Sequence, residues 1–375
     1  MGNPFIEDPA SGAGTSLDEE EACARALGEG LERYCGLSWT TELVQETLVG
    51  AGLFGRWARC AAREDAPDSL KALPADVPIW SVPARNAADG SRVLVPAAHV
   101  ILGYEPPPEE PLVTVPISTG LAFHPDPVRA IWSGLCEVVE RDAVMSAWWI
   151  HHDRPEITSN GAPHAVVERL ERLDDRGMTA RLFDVTTEVG IPTVFSVLTS
   201  PRYPHLVVGA ATKADATEAC TKALDEVVSM RLALSHRDRP PMPTSQGAVA
   251  APETLVDHAA FYAVDADHPG VRFLRGDEQV GFAEFSRQSV PAPTTMRMLR
   301  DSAVDLGRRG LTVLWVDITV PEVQPFGCAV KVIVPELVPL SPTHRIRWLG
   351  TDILIERAGR VPGFSGFTPH PHPFA

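Results

Sequence analysis

The chain has 375 residues, 44% of them hydrophobic and 22% charged, with a net charge of −16. That length can bury a large core, as one big domain or two. Only four lysines are present (Lys71, Lys213, Lys222 and Lys331) and no basic stripe exists, which argues against a nucleic-acid binder. No apolar run approaches about 18 residues, so no membrane span is expected, and the acidic N-terminus has no secretory signal pattern. Six cysteines (23, 35, 60, 136, 220 and 328) are scattered without a C-x-x-C pair. This favours buried free thiols in a cytoplasmic protein over zinc or disulfides.

The segment 16–35 reads as a helix, with Ser16 or Asp18 as cap, Glu19 to Glu21 in the first turn and Gly36 just past its end. A second helical stretch is predicted over about 40–63, followed by a polar, proline-rich loop at 64–78. Ile79 to Val82 and Arg92 to Val95 read as strands around the turn signal Ala88-Asp89-Gly90. Glu105 to Pro111 reads as a linker and Val113 to Ile117 as another apolar strand. Pro127 suits the first turn of a helix running to about Ile150. Strands are expected near 180–185, 193–198 and 205–210, then a long helix over 214–234. A Pro, Ser and Gly-rich connection follows from Arg237 to Pro252. A helix over 293–309 precedes buried strands at Leu311 to Ile318 and Ala329 to Val334. Phe364 to Ala375 is punctuated by prolines and can be neither helix nor inner strand. Long helices mixed with several strands give an α/β or α+β class.

The most informative pattern is a repeat. Ala26-Leu-Gly-Glu-Gly-Leu-Glu-Arg33 recurs as Gly134-Leu-Cys-Glu-Val-Val-Glu-Arg141, with a looser copy at Ala223-Leu-Asp-Glu-Val-Val228. On a helix, positions i and i+3 share a face, so Glu29 pairs with Glu32 and Glu137 with Glu140, while Glu226 offers one more acid. Carboxylates gathered this way repel unless a cation sits among them, and Mg²⁺ shared with substrate phosphates is the usual one. A solvated face or an ion-pair network between packed helices would give the same spacing. The duplication together with its flanking Leu and Arg, in apolar surroundings, favours a nucleotide-using site. Arg33 and Arg141 can orient the acids or bind phosphate.

The common nucleotide and nucleophile signatures are absent. There is no P-loop and no nucleophile elbow, and Gly12-Ala-Gly14 lacks the third glycine of a dinucleotide loop. His151-His152-Asp153 places adjacent residues on diverging directions, which argues against a metal site. The tail Pro369-His-Pro-His-Pro-Phe-Ala375 is stiffened by its prolines and can dock into a cleft at little entropic cost.

Taken together, these motifs resemble the YcaO superfamily, and within it the azoline-forming cyclodehydratases of thiazole- and oxazole-modified peptide biosynthesis. The resemblance runs through Ala26 to Cys35, Ile79-Trp80 with Val82-Pro83, Ser118 to Ala122, Gly134 to Ala143, Ala223 to Glu226, Val332 to Pro335 and His370 to Phe374. It implies an α/β (α+β) fold with mixed sheets and long helices that carry the glutamates around an ATP cleft. One domain over 1–375 is expected, with a proline-rich tail at 364–375 and no separate leader-peptide-binding domain. The implied reaction closes a Cys, Ser or Thr side chain of a precursor peptide onto the preceding carbonyl. ATP phosphorylates the amide-derived oxygen, and elimination leaves a thiazoline or oxazoline.

By the same resemblance, Glu29, Glu32, Glu137, Glu140 and Glu226 would be Mg²⁺ ligands, and Arg33, Arg129 and Lys222 would join them around ATP. Glu140, Arg141, Pro371, Pro373 and Ala375 would act at the reaction centre. The implied partners are the precursor peptide, a separate leader-peptide-binding protein, a flavin-dependent azoline dehydrogenase and a second copy of the chain. The chain departs from the family pattern at Arg25 (usually Ser), Pro125 (Asn), Arg129 (an acid), Ser133 (Gln or His) and Lys222 (Arg), and has Ala122 where Ser or Ala is usual. Two alternatives follow: a degenerate, non-catalytic subunit acting as scaffold, and a thioamide-forming enzyme using the same ATP activation.

Overall fold

The structure is a computed structural model that describes residues 12–38, 43–47, 78–110, 113–236 and 252–374. Its helices are α1 (Glu19–Leu37), α2 (Pro127–Ile150), α3 (His164–Asp174), α4 (Ala216–Ser235), α5 (Leu255–Ala263), α6 (Phe282–Phe285), α7 (Met296–Arg308) and α8 (Asp352–Gly359). Its strands are β1 (Val44–Thr47), β2 (Pro78–Asn86), β3 (Arg92–Pro96), β4 (Leu121–His124), β5 (Glu156–Thr158), β6 (Thr179–Asp184), β7 (Thr193–Thr199), β8 (Leu206–Thr212), β9 (Gln279–Gly281), β10 (Leu314–Asp317) and β11 (Cys328–Ile333). The chain divides into two compact units, residues 1–142 with 293–360, and residues 143–292 with 361–375.

The first unit is built on a six-stranded sheet of order β1-β2-β10-β11-β4, with β3 also paired to β2. Every pairing in it is antiparallel. Its core gathers Val82, Val95, Ile101, Leu121, Leu314, Ala329 and Trp348. Helix α1 begins at Asp18, whose side chain accepts from the Glu21 backbone N–H. The helix continues past the expected stop at Gly36 to Leu37. Gly36 is there for packing: an added Cβ would lie 3.0 Å from Leu121 Cδ1 and 3.1 Å from Leu102 Cδ1. Helix α2 opens at Pro127, as expected, with Asp126 Oδ1 accepting from Val128 N at 2.8 Å.

The second unit holds a five-stranded sheet of order β8-β7-β6-β5-β9. β9 pairs in parallel with β5, and the other pairings are antiparallel. Helix α4, capped by Asp215 on the N–H groups of Thr217 and Glu218, covers this sheet. Gly209 lets it approach closely, since a Cβ there would sit 2.9 Å from Glu226 Cβ. Ser196 Oγ, on β7, lies 2.8 Å from Ala223 O and fixes the same turn of α4.

Two expectations are overturned. Residues 44–47 form a strand, with Val44 opposite Ser81 and Thr47 opposite Pro78, where a helix was expected; pairing to a sheet edge overrides local helical pattern. The rest of that stretch, the expected loop up to 77 and the connection over 237–251 lie outside the described residues. Residues 113–116 are buried, and the segment 113–117 joins no sheet. Pro116 lacks the N–H a ladder needs, and the Ile117 carbonyl is taken by the Lys331 side chain instead. The elements β5, β9, α3, α5, α6 and α8 were not among those expected from the sequence.

A buried ion pair anchors α2 within the first unit. Both Asp142 oxygens accept from Arg357 of α8 at 2.8 Å, and Oδ1 also accepts from Val338 N at 2.9 Å. Asp142 is fully buried and Arg357 nearly so. Breaking such a pair strands a charge, so Arg357→Met should cost about 3–5 kcal/mol in denaturant unfolding. The double variant Asp142→Leu/Arg357→Met should recover most of that loss. A single variant as stable as the parent would show that the pair contributes nothing.

Candidate functional site

The acid pairs of the first unit are set by close backbone packing. Helix α2 meets the sheet at Gly134, where an added Cβ would lie 2.7 Å from Gly120 O and 2.8 Å from Val332 Cγ2. Gly120 is required too: its φ is +86° and a Cβ would fall 2.1 Å from Val332 O. Val332 N donates to Gly120 O at 2.7 Å. One turn beyond Gly134, Glu137 reaches back, and its Oε2 accepts from Gly120 N at 3.1 Å. Arg141 stands between the two acids of its helix, 3.6 Å from Glu137 and 3.4 Å from Glu140. On α1, Arg33 pairs with Glu29 at 2.6 Å, and Glu29 also accepts from Ala13 N at 2.8 Å.

These carboxylates feel one another. Burial raises Glu32 well above the ordinary carboxylate range, and the charges of Glu137 and Glu29 push it further. Glu137 is raised chiefly by burial, against the pull of Arg141, the Gly120 N–H and Lys331. Lys331, on β11, is 3% exposed and donates to Ile117 O at 2.6 Å. Burial lowers its pKa to about 8, although Glu137 and Glu32 favour its charge. His99 is held neutral, its pKa lowered to about 3 by burial and by Lys331. His99, Thr119, Arg141 and Lys331 line a cavity of about 50 Å³ with apolar neighbours such as Val138 and Val338.

Helix α1 and the middle of α2 thus bring Glu29, Glu32 and Glu137 into one electrostatic group, with Arg33, Arg141 and Glu140 beside it. Arg129 is exposed, as are Pro125 and Ser133. Arg25 pairs with Glu21 at 2.7 Å and also reaches the Thr15 carbonyl. In the second unit Lys222 and Glu226 pair on α4 at 2.5 Å. Asp225, next to them, is buried against Arg169 of α3 with contacts of 2.8 and 3.3 Å. Pro371 and Pro373 are buried in that unit, and Ala375 lies outside the described residues. Lys331, Gly120 and Gly134 were missed as functional residues in the sequence. The available signal for Lys331 was a lone charge inside the apolar run Ala329 to Val334.

Among the described residues no group of three or more His, Cys, Asp or Glu side chains is arranged to hold a metal ion. Mg²⁺ does not require such a cage. It is ordinarily held by one or two carboxylates, waters and substrate phosphates. Glu32 and Glu137, raised by burial and further by neighbouring acids, suit that role, because a nearby cation favours their charged forms. The described cysteines are all free thiols, and no described helix is long and apolar enough to cross a membrane.

A family model for YcaO cyclodehydratase, ATP- and Mg²⁺-binding, matches residues 13–338. An uncharacterized protein of the tfuA 3′ region in Rhizobium leguminosarum bv. trifolii is 28% identical over 58% of this chain. An uncharacterized protein of Methanothermobacter thermautotrophicus is 30% identical over 63% of it. The matches span 54% and 61% of those relatives. Among solved structures, a heterocyclase in complex with substrate and cofactor superposes with a TM-score of 0.72 at 20% identity, over 96% of this chain and 49% of that one. YcaO from Methanopyrus kandleri, bound with AMPPCP and Mg²⁺, gives 0.62 at 19% identity over 86% and 78%. The E. coli microcin synthetase McbBCD complex with pro-MccB17 bound gives 0.59 at 16% over 86% and 81%. The fold is that of the YcaO heterocyclases. This chain belongs to the YcaO cyclodehydratase family.

The raised Glu32 has a consequence for stability. A raised acid favours the folded state fully below its unfolded value, near 4.5, and that advantage is lost as pH rises through the folded value. Glu32→Gln should therefore raise the melting temperature of metal-free protein at pH 8. The gain should shrink as the pH falls towards 5. A variant less stable than the parent at pH 8 would contradict this electrostatic account.

Proposed function

We propose that the chain is an ATP- and Mg²⁺-dependent cyclodehydratase that forms thiazoline or oxazoline rings from Cys, Ser or Thr residues of a ribosomally made precursor peptide. The observation that supports it best is the grouping of Glu29, Glu32 and Glu137 on the repeated helix motif, in which burial and neighbouring acids raise Glu32 and Glu137. Glu29, Glu32, Glu137, Glu140 and Glu226 are the candidate Mg²⁺ ligands. Arg33, Arg129 and Lys222 are candidates for the phosphates. ATP would supply the phosphoryl group that makes the amide-derived oxygen a good leaving group, while Mg²⁺ neutralises charge.

The chain's own task in such a reaction is placement. Arg141, held between Glu137 and Glu140, presents a fixed guanidinium in a partly buried setting, where its field is screened less than at the surface. The buried Lys331 offsets the acids from behind. Pro371, Pro373 and the Ala375 carboxylate are proposed to shape the reacting end of the site. The precursor peptide would arrive with a separate leader-binding protein. That partner is suggested by the microcin synthetase assembly, which holds its own precursor in a multi-protein complex. A homodimer and a later flavin-dependent dehydrogenase are further partners consistent with this chemistry. Free thiols suit a cytoplasmic location for it.

Purified chain, its partner, precursor peptide, ATP and Mg²⁺ should release phosphate in step with the loss of one water per ring in the peptide mass. Glu140→Ala should lower both rates by at least about 10²-fold, the scale of losing one electrostatic contact to the transition state. Unchanged turnover in that variant would remove the acid assignment. Absence of phosphate release and of mass loss in the parent would favour a non-catalytic subunit.

A further inference from the structure

The first acid of each E-x-x-E-R repeat receives a backbone N–H from a segment ahead of its own helix. Gly120 N donates to Glu137 at 3.1 Å across 17 residues, and Ala13 N donates to Glu29 at 2.8 Å across 16. In both acids the other oxygen faces the arginine four residues on, Arg141 at 3.6 Å and Arg33 at 2.6 Å. The repeat in the sequence is therefore a repeat in space, made of helix, acid, arginine and a preceding glycine-bearing segment. In the second copy the N–H comes from the close approach of Gly120 and Gly134. In the first it comes from Gly12-Ala13-Gly14, the glycine pair that makes no dinucleotide loop.

Residues 12–14 run along α1 in contact with its backbone. A Cβ on Gly12 would run into Ala26 O and lie 2.6 Å from Gly30 N, and one on Gly14 would run into Ala22 O and lie 2.7 Å from Ala26 N. Glycine at both positions is what lets the segment reach the helix. Ala22, Ala26 and Gly30, spaced by four, keep that face of α1 low. The far end of the segment is tied as well. Arg25 donates to the Thr15 carbonyl and pairs with Glu21, and Ser16 Oγ donates to Glu21 at 2.5 Å. Arg25, a departure from the family pattern, thereby has a local task. Helix α1 starts independently of residues 12–14, on the cap Asp18. With the Ala13 N–H on one oxygen and Arg33 on the other, the Glu29 carboxylate is held at two points. Each carboxylate oxygen can accept twice, so lone pairs remain for a cation.

We propose that Gly12-Ala13-Gly14 is a positioning element of the acid site: its Ala13 N–H orients the Glu29 carboxylate for a divalent cation, as the Gly120 N–H orients Glu137. This rests on the reading of Glu29 as a cation ligand. Hydrogen-bond partners of ligating carboxylates typically change metal affinity by about 10–100-fold. The segment acts through Glu29, so its effect disappears when Glu29 cannot ligate.

The test is a titration of the full chain with Mn²⁺, which takes the same oxygen ligands as Mg²⁺, read from the electron paramagnetic resonance of the free ion. Gly12→Ala/Gly14→Ala pushes the segment off α1 and should weaken Mn²⁺ about tenfold. Ala13→Pro removes the donor and should do the same, whereas Ala13→Ser keeps the N–H and should bind as the parent does. In a Glu29→Gln chain the two glycine substitutions should add no further loss, a coupling that a merely structural role would not produce. Unchanged or tighter Mn²⁺ binding in both segment variants would overturn the inference and leave the acid assignment standing. An equal further loss in the Glu29→Gln chain would do likewise. A parent that binds no Mn²⁺, with or without a non-hydrolysable ATP analogue, would remove the cation reading of Glu29 and this inference with it.

Discussion

The first unit depends on the approach of α2 to the β4–β11 edge through Gly134, Gly120 and Val332. No side chain fits there: both glycines would place a Cβ inside contact distance of backbone oxygen. This approach brings Glu137, one turn along, within reach of the Gly120 N–H. It also puts the positive φ of Gly120 to use, since the left-handed turn aims that N–H at the helix while its carbonyl accepts from Val332. A helix standing a methyl group further out would keep its hydrophobic face, yet its acids would lose this fixed position. The repeated (A/G)-L-x-E spacing therefore encodes packing and chemistry at once. The small residue sets the distance, and the acid three positions later uses it.

That closeness carries an electrostatic cost. Burial raises Glu32 and Glu137, and neighbouring acids push them further: Glu137 and Glu29 act on Glu32, and Glu29 on Glu137. The chain answers with resident cations at different depths. Arg33 and Arg141 pair with acids on their own helices, and Lys331 lies fully inside, bound to the Ile117 carbonyl. Burying a lysine is itself unfavourable, which is why its pKa falls to about 8. Lys331 therefore offsets the acids only in part, and relieving the remainder is the work a bound divalent ion would do.

Much of this was legible in the sequence, for identifiable reasons. The helix from Pro127 to Ile150 has a strong start signal and a long apolar pattern, and the strands near 193 and 206 are rich in Val and Thr, so both classes appear where expected. The acid pairs were visible because helical spacing is local. Lys331 was not, because its meaning depends on β11 lying against the segment before β4, more than 200 residues earlier in the chain. The strand at 44–47 and the sheet-free segment at 113–117 failed for the same reason: pairing partners decide strands, and partners are not local. The proline tail could be read as stiff and dockable, but its docking partners Trp148, His258 and Tyr262 come from two helices far away in sequence.

One device recurs in both units beside the residues assigned to the site. Asp142 follows Glu140 and Arg141 directly and is clamped by Arg357; Asp225 precedes Glu226 directly and is clamped by Arg169. Each clamp is two-pronged, and each joins the acid-bearing helix to another helix of its own unit. For stability alone, well-packed apolar residues would serve as well or better in such buried places. A two-point contact fixes the rotation of a helix about its axis, which an apolar contact leaves free to slide. The proposed phosphoryl chemistry would be sensitive to that rotation, because an acid displaced by about 1 Å would no longer meet an ion or phosphate. The position of the clamps, within two residues of the assigned acids in both units, is what a requirement for orientation would produce.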